Sequence, residues 1–432
     1  MKTVASHALG CKVNQYESEA IAELFAKKGY EVVDIEQKAD IYVINTCTVT
    51  NFGDKKSRQL IRKVKRQNPD SIIAVIGCYA QTAPQEISKI EGVNLIIGTK
   101  DRKSIVELVE NYTKEQGAVN FVTEISRERE FEPLSVQKLA GRTRAYLKIQ
   151  DGCSQFCSYC IIPYARGPIR SRDPQEVLKE VNILAENGFQ EIVLTGIHVA
   201  SYGKDLKTID LLGILKKVHE VEKIKRIRFS SIEPNIITKQ FMEEVAKLPK
   251  VCNHFHLSLQ SGCDKTLQAM NRKYTTEQYR QAVQLIKQHM PQAAITTDII
   301  VGFPDETQED FEKSFLFAKE MQFSKIHVFP FSPKKGTPAA SMKEQIPNDI
   351  KTQRSKKLIQ LGNEMTKGFL NSHIGQKMDI LFERKLDENI FEGHTTNYIK
   401  VHVKSDKDLK NKILSVKLLQ TEQENMTGVT EQ

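Results

Sequence analysis

The chain has 432 residues, a formal charge of +9, eight cysteines and 40% hydrophobic residues. That length allows roughly three ordinary domains with packed cores. Eight thiols are too few to staple so long a chain, and no run approaches the roughly 18 apolar residues of a membrane span, so disulfide scaffolds and membrane proteins are excluded. No basic-then-apolar leader follows Met1-Lys2-Thr3-Val4, and a cytoplasmic chain is expected. The surplus of Lys and Arg suits a polyanionic partner.

The first part alternates short apolar runs with helical segments. A run ending Ala8-Leu9-Gly10 precedes a helix expected from about Ser18 to Lys28, and Asp40 to Thr46 then reads as a strand. A basic helix carrying Lys55, Lys56, Arg58, Arg62, Lys63, Lys65 and Arg66 separates it from the run Ser71 to Gly77. Such a pattern implies a buried parallel sheet. Cys11, Cys47 and Cys78 each follow one of these strands. Ligands of open α/β sheets bind at the carboxyl ends, so thiols distant in sequence can meet there.

Periodicity is lost from about Asn120 to Leu139, read as a linker. Strands are then expected at Arg144 to Ile149, Glu191 to Thr195, Arg226 to Ser231, His254 to Gln260, Ala294 to Val301 and Lys325 to Phe331, with helices such as Pro174 to Asn187 and Thr307 to Met321 between them. Six such units suggest a full or partial barrel with its site at the carboxyl ends of the strands.

Directly after the first of these strands stand Cys153, Cys157 and Cys160, with three and then two residues between them. Three ligands are one short of a closed site, so the loop is either half of a zinc site completed elsewhere or a cluster site with one position open for chemistry. Ser231, Glu233 and Gln260 follow later strands and face the same mouth. Gly302-Phe303-Pro304 follows the fifth. Cys252 and Cys263 match no ligand spacing and read as structural. Beyond a long helix from about Ile350 to Leu370, alternating runs from about Ile374 read as a small β-barrel.

The Cys153, Cys157, Cys160 loop resembles that of the radical S-adenosylmethionine (SAM) superfamily, which holds a [4Fe–4S] cluster whose open iron binds SAM. Across essentially the whole chain, Gly10-Cys11-Lys12-Val13-Asn14-Gln15-Tyr16-Glu17, Asn45-Thr46-Cys47-Thr48, Gly77-Cys78-Tyr79-Ala80-Gln81 and Ile161-Ile162-Pro163-Tyr164-Ala165-Arg166-Gly167 look like the methylthiotransferase family, most closely the type acting on threonylcarbamoyladenosine in tRNA.

The resemblance implies an α/β chain of four parts. These are an N-terminal open parallel-sheet domain (1–120), a linker (121–139), a radical SAM partial (β/α)6 barrel (140–370) and an all-β TRAM barrel that binds RNA (371–432). It implies two [4Fe–4S] clusters, on Cys11, Cys47 and Cys78 and on Cys153, Cys157 and Cys160, with SAM as cofactor. Tyr159 stands where the superfamily has an aromatic beside adenine. Gly196 lies in Thr195-Gly196-Ile197-His198, where many members carry a Gly-Gly-Glu turn, so no carboxylate is supplied there. Ser231, Glu233 and Gln260 become candidates for the ribose and methionine parts of SAM.

The implied reaction puts a methylthio group on C2 of N6-threonylcarbamoyladenosine at position 37 of tRNA. Partners would be the anticodon stem-loop, an electron donor such as flavodoxin or ferredoxin, and a sulfur source, with the chain a monomer. Competing readings are the same chemistry on N6-isopentenyladenosine or on a ribosomal protein, and a non-catalytic zinc or redox RNA-binding protein.

Overall fold

In the computed structural model, which describes residues 1–136 and 143–430, an open sheet, a partial barrel and a closed barrel follow one another. The end of the expected linker (137–139), the expected boundary at 140, and residues 431–432 lie outside the described residues.

The first body contains β1 (Thr3–Ala8), α1 (Lys12–Lys27), β2 (Glu31–Val32), β3 (Ile41–Thr46), α2 (Asn51–Gln67), β4 (Ile72–Gly77), α3 (Cys78–Thr82), α4 (Pro84–Ile87), β5 (Leu95–Ile96), α5 (Ile105–Glu110) and β6 (Val119–Asn120). Its strands pair in parallel in the order β2-β1-β3-β4-β5-β6. Apolar clusters cover both faces, which is why β3 is buried at every residue rather than alternating.

Helix α1 begins six residues before the expected Ser18, with Cys11 as its extended N-cap. The sequence hides this because polar Asn14 and Glu17 occupy buried positions, and their partners come from elsewhere in the chain. Residues 121–136 hold no helix or strand, yet Ile125, Leu134 and Val136 are buried.

The second body runs β7 (Arg144–Lys148), β8 (Gln150–Asp151), α6 (Ile162–Arg166), β9 (Arg170–Ser171), α7 (Pro174–Glu186), β10 (Glu191–Thr195), α8 (Leu211–His219), β11 (Arg226–Phe229), α9 (Lys239–Val245), β12 (His254–His256), α10 (Asp264–Ala269), α11 (Thr276–His289), β13 (Ala294–Val301), α12 (Gln308–Met321), β14 (Lys325–Pro330) and α13 (Asn348–Asn371). Parallel sheets β7-β10-β11 and β12-β13-β14 are joined by bridges from Ile227 to Val251 and from Ile232 to Leu257. The result is a six-stranded parallel arc in chain order, open between β7 and β14. Strands β11 and β12 stop short of the expected Ser231 and Gln260. Beyond His256 only isolated bridges remain, and Gln260, which bridges Ile299 of β13, takes a left-handed φ of 68°.

The third body is a closed barrel, β15 (Lys377–Asp387), β16 (Ile390–Thr395), β17 (Lys400–Lys404), β18 (Ile413–Glu422) and β19 (Asn425–Thr430), in the order β15-β16-β17-β19-β18. It closes on the amino ends of the central strands. Arg226 donates to the carbonyls of His394 and Asp379, both at 2.8 Å, and Arg144 pairs with Glu383 at 2.8 Å. No helix among the described residues is long and apolar enough to cross a membrane.

Candidate functional site

Strands β1, β3 and β4 are adjacent, and Ala8 lies opposite Asn45 while Thr46 lies opposite Gly77. Neighbouring strands run about 4.8 Å apart, so the residues that leave their carboxyl ends, Cys11, Cys47 and Cys78, meet along one sheet edge. Gly10 adopts φ 95°, and a Cβ there would stand 2.6 Å from the Cys47 Cβ, so only glycine lets the two loops approach. Helices α1 and α3 begin at Cys11 and Cys78, and their amino ends favour negative charge on the sulfurs.

The second trio is held locally. The Cys160 amide donates to the Cys157 carbonyl at 2.9 Å, the Ser158 amide to Met270 at 3.0 Å, and Asn271 Nδ2 to the Phe156 carbonyl at 2.8 Å. The loop is thereby fixed to the end of α10. Phe156 takes a left-handed φ of 48°, strain that a packed loop can store at a working site.

Each trio carries one guanidinium. Arg166 Nε lies 3.2 Å from Cys78 Sγ, and Arg272 Nη1 lies 3.2 Å from Cys157 Sγ. Burial pushes the thiols of Cys47 and Cys160 up to about 12 and that of Cys153 to about 11, so metal entry must displace protons. Burial also raises Cys78, with Arg166 opposing it. Three thiols and a cation suit an iron–sulfur cubane with one iron left open better than the four ligands of a structural zinc.

The two trios are joined through consecutive residues. Arg166, the last residue of α6, touches Cys78, while the Gly167 carbonyl accepts from the Cys153 amide at 2.9 Å. Beneath this link lies a buried ionic network. Glu17 meets Arg166 at 2.5 Å, Arg102 at 2.6 Å and Lys148 at 2.7 Å, and Asp151 meets Lys148 at 2.6 Å. Asn14 completes it, accepting from Arg166 at 2.6 Å and donating to the carbonyls of Leu9 and Thr46. Burial alone raises the Glu17 carboxyl, but Arg102, Arg166 and Lys148 hold it well below the usual range. On the other side of the mouth, Asn51 donates to the Pro333 carbonyl and Lys334 pairs with Asp54.

Of the residues expected at SAM, Tyr159 packs on the apolar group of Met270, Phe303, Phe331 and Ala339 beside the cysteine loop. Gly196 lies against Gln150, whose Oε1 a Cβ would meet at 2.8 Å. Glu233 accepts from Arg272 at 2.7 Å and from Gln155 of the loop at 3.2 Å, and stands 2.9 Å from His198 Nε2. Burial raises its carboxyl, and His198 and Arg272 bring it below the usual range. The mouth therefore does hold a carboxylate near the second strand end, supplied by the third. Ser231 is exposed on a separate cavity wall, and Gln260 is half-buried with no side-chain hydrogen bond among the described residues. Gly302 needs its φ of 69°, and its amide donates to Glu306 at 2.6 Å. Cys252 and Cys263 are buried, as expected of structural residues.

A cavity of about 990 Å³ occupies the arc, walled by Gly10 and Lys12, by strand residues including Arg144, Arg228 and Ser231, and by Tyr398 of the closed barrel. Tyr398 stacks on His254 at 4.7 Å and on His394 at 4.9 Å, and Arg228 lies over its ring at 4.6 Å. Burial raises its phenol, yet Arg144 and Lys12 bring it below its usual value. Burial, then Arg228, holds His254 well below the usual imidazole value. The Tyr398 shift reports the cations around its ring, and that of His254 chiefly its burial. Sequence reasoning gave no role to Arg166 or Glu17, although both lie in the motifs it quoted. Arg272 and Tyr398 lie in none and carried no signal.

The chain matches the Radical SAM superfamily over residues 147–318 and the Uncharacterized protein family UPF0004 over residues 3–98. The threonylcarbamoyladenosine tRNA methylthiotransferase MtaB of Bacillus subtilis (strain 168) is 47% identical, across 97% of this chain and 94% of its own. Its counterpart in Aquifex aeolicus (strain VF5) is 39% identical, across 92% and 98%. A tRNA-2-methylthio-N(6)-dimethylallyladenosine synthase of Moorella thermoacetica is 36% identical, across 96% of each. Among solved structures, the radical SAM methyltransferase TsrM of Kitasatospora setae superposes with a TM-score of 0.56 at 16% identity, across 78% of this chain and 77% of its own, a likeness of fold. Identity at this level along nearly the full length of both chains settles kinship: the chain belongs to the radical SAM tRNA methylthiotransferases.

Proposed function

We propose that this enzyme methylthiolates C2 of N6-threonylcarbamoyladenosine at position 37 of tRNA, giving the 2-methylthio derivative. The observation that carries the chemistry is the pair of thiol trios joined through Arg166 and Gly167. Preference for the threonylcarbamoyl nucleoside rests on relatives of that name being 47% and 39% identical, against 36% for the dimethylallyladenosine synthase.

The enzyme uses SAM and [4Fe–4S] chemistry. In this proposal Cys153, Cys157 and Cys160 hold one cluster, and Cys11, Cys47 and Cys78 hold a second. The bound cofactors supply methyl transfer, a sulfur-bearing iron and radical cleavage of SAM, which an unactivated aromatic C–H requires. The protein's own part is positional. Arg272, held by Glu233, steadies Cys157, and Tyr159 packs beside the loop. Arg166 steadies Cys78, Gly196 and Gln260 stand at strand ends near the mouth, and Ser231 lines the neighbouring cavity. The target base must leave the stack to enter, as an anticodon-loop base readily does.

Helix α2 presents Lys55, Lys56, Arg62, Lys63 and Arg66 to solvent, a face suited to RNA phosphates, and the closed barrel is a second RNA-binding element of this proposal. An electron donor such as flavodoxin or ferredoxin, a sulfur source, a monomeric chain and a cytoplasmic setting belong to the same proposal. The test is anaerobic reconstitution with about eight iron per chain, followed by turnover on a threonylcarbamoyl-modified anticodon stem-loop. Product only from the isopentenyl-modified loop would reassign the substrate.

A further inference from the structure

Five of the six cations lining the cavity have carboxylate partners. Lys325 pairs with Glu424 at 2.7 Å, Arg384 with Glu392 at 2.8 Å, Arg144 with Glu383 at 2.8 Å, Arg228 with Glu191 at 3.0 Å, and Lys400 with Glu392 at 3.7 Å. Lys12 is the exception. Among the described residues its ammonium makes no hydrogen bond or ion pair, and its one ring contact is with Tyr146 at 5.9 Å. Its charged surroundings are the Tyr398 phenol and Glu191, opposed by Arg144 and Arg228; desolvating an ammonium that has no carboxylate in contact is costly, and a site that keeps one is arranged for an incoming anion.

Lys12 follows Cys11 directly, and Gly10 lines the same wall. The cavity that takes an anion on Lys12 therefore adjoins the loop that carries the first thiol. On the substrate reading above, the threonylcarbamoyl arm hangs from N6, on the same six-membered ring as C2, and ends in a carboxylate. The isopentenyl arm has none. The volume of about 990 Å³ accommodates a modified nucleoside.

We propose that Lys12 receives the carboxylate of the threonylcarbamoyl arm, and so selects this nucleoside over adenosines with an apolar arm while holding C2 toward the Cys11, Cys47, Cys78 trio. The inference rests on the substrate reading of the preceding section. A phosphate of the RNA backbone would satisfy the same ammonium, and the test separates the two.

Wild-type, Lys12→Met and Lys12→Arg holoenzymes are compared on two stem-loops, one carrying the natural arm and one with its carboxylate converted to the amide. In wild type the amide raises KM about tenfold, the scale of one charge-assisted hydrogen bond. That ratio collapses toward one in Lys12→Met and recovers in Lys12→Arg. An unchanged ratio in Lys12→Met overturns the assignment. So does an equal rise in both KM values, the mark of a phosphate contact or a damaged fold. Failure of wild type on the natural loop would instead remove the substrate reading, and the inference with it.

Discussion

Cys153, Cys157 and Cys160 share one loop, whereas Cys11, Cys47 and Cys78 are collected from the ends of three adjacent strands. The loop trio depends on local conformation, on left-handed Phe156 and on hydrogen bonds to the end of α10. The strand-end trio depends on register across a whole sheet, because a slip of one residue would carry a thiol away from its partners. Both nevertheless acquire the same accessory, a guanidinium 3.2 Å from one sulfur, which the proposed function assigns to the clusters rather than to either scaffold.

The sharpest separation is expected from the cysteines themselves. Cys157→Ala should take 5′-deoxyadenosine formation to background while tRNA binding persists, read by chromatography and filter binding. Cys47→Ala should leave SAM cleavage in place, abolish the methylthio product, and lower iron from about eight to about four per chain. Product from the Cys47 variant would break the proposed division of labour.

Next in size are the guanidinium variants. Arg272→Met should slow SAM cleavage by about 10- to 100-fold, and Arg166→Met should slow product formation without equal loss of cleavage, the scale set by partners of metal ligands. Equal effects on both steps would show that the cations support the fold alone.

Glu17→Gln strips one carboxylate from three buried cations and should cost about 3 kcal/mol in denaturant titration. The Glu17 carboxyl lies well below its ordinary 4.5 in the folded chain, so its contribution is complete above about pH 4.5 and lost as pH falls toward the folded value. Wild type should therefore lose stability on acidification more steeply than the variant. Smallest is the surface effect. Replacing Lys55, Lys56, Arg62 and Arg66 by Gln should weaken tRNA binding a few-fold and shallow its salt dependence by roughly 0.7 to 0.9 for each phosphate no longer neutralised.

The loop trio was plain in the chain because its spacing is local, and the strand-end cysteines were legible as soon as the strands were. Strands expected at Glu191–Thr195 and Ala294–Val301 match to the residue, since both runs are rich in β-branched residues and bounded by turns. What stayed hidden depends on partners remote in sequence. The start of α1 was obscured by Glu17 and Asn14, polar residues whose burial makes sense only beside Arg166. Glu233 was singled out for SAM, yet its observed contacts are Arg272, Gln155 and His198, and no local pattern signals Arg272. Deleting the closed barrel would also remove Tyr398 from the cavity and free Arg226 and Arg228, so truncation cannot isolate its hold on RNA.

Arg166 and Gly167 are consecutive, one reaching a sulfur of the sheet and the other the backbone of the loop. The gap between the two sets of thiols is thus gauged where the two bodies dock, by one peptide unit of the second and one side chain that reaches across to the first. In the proposed reaction, the span between the two clusters would then be set at this one contact.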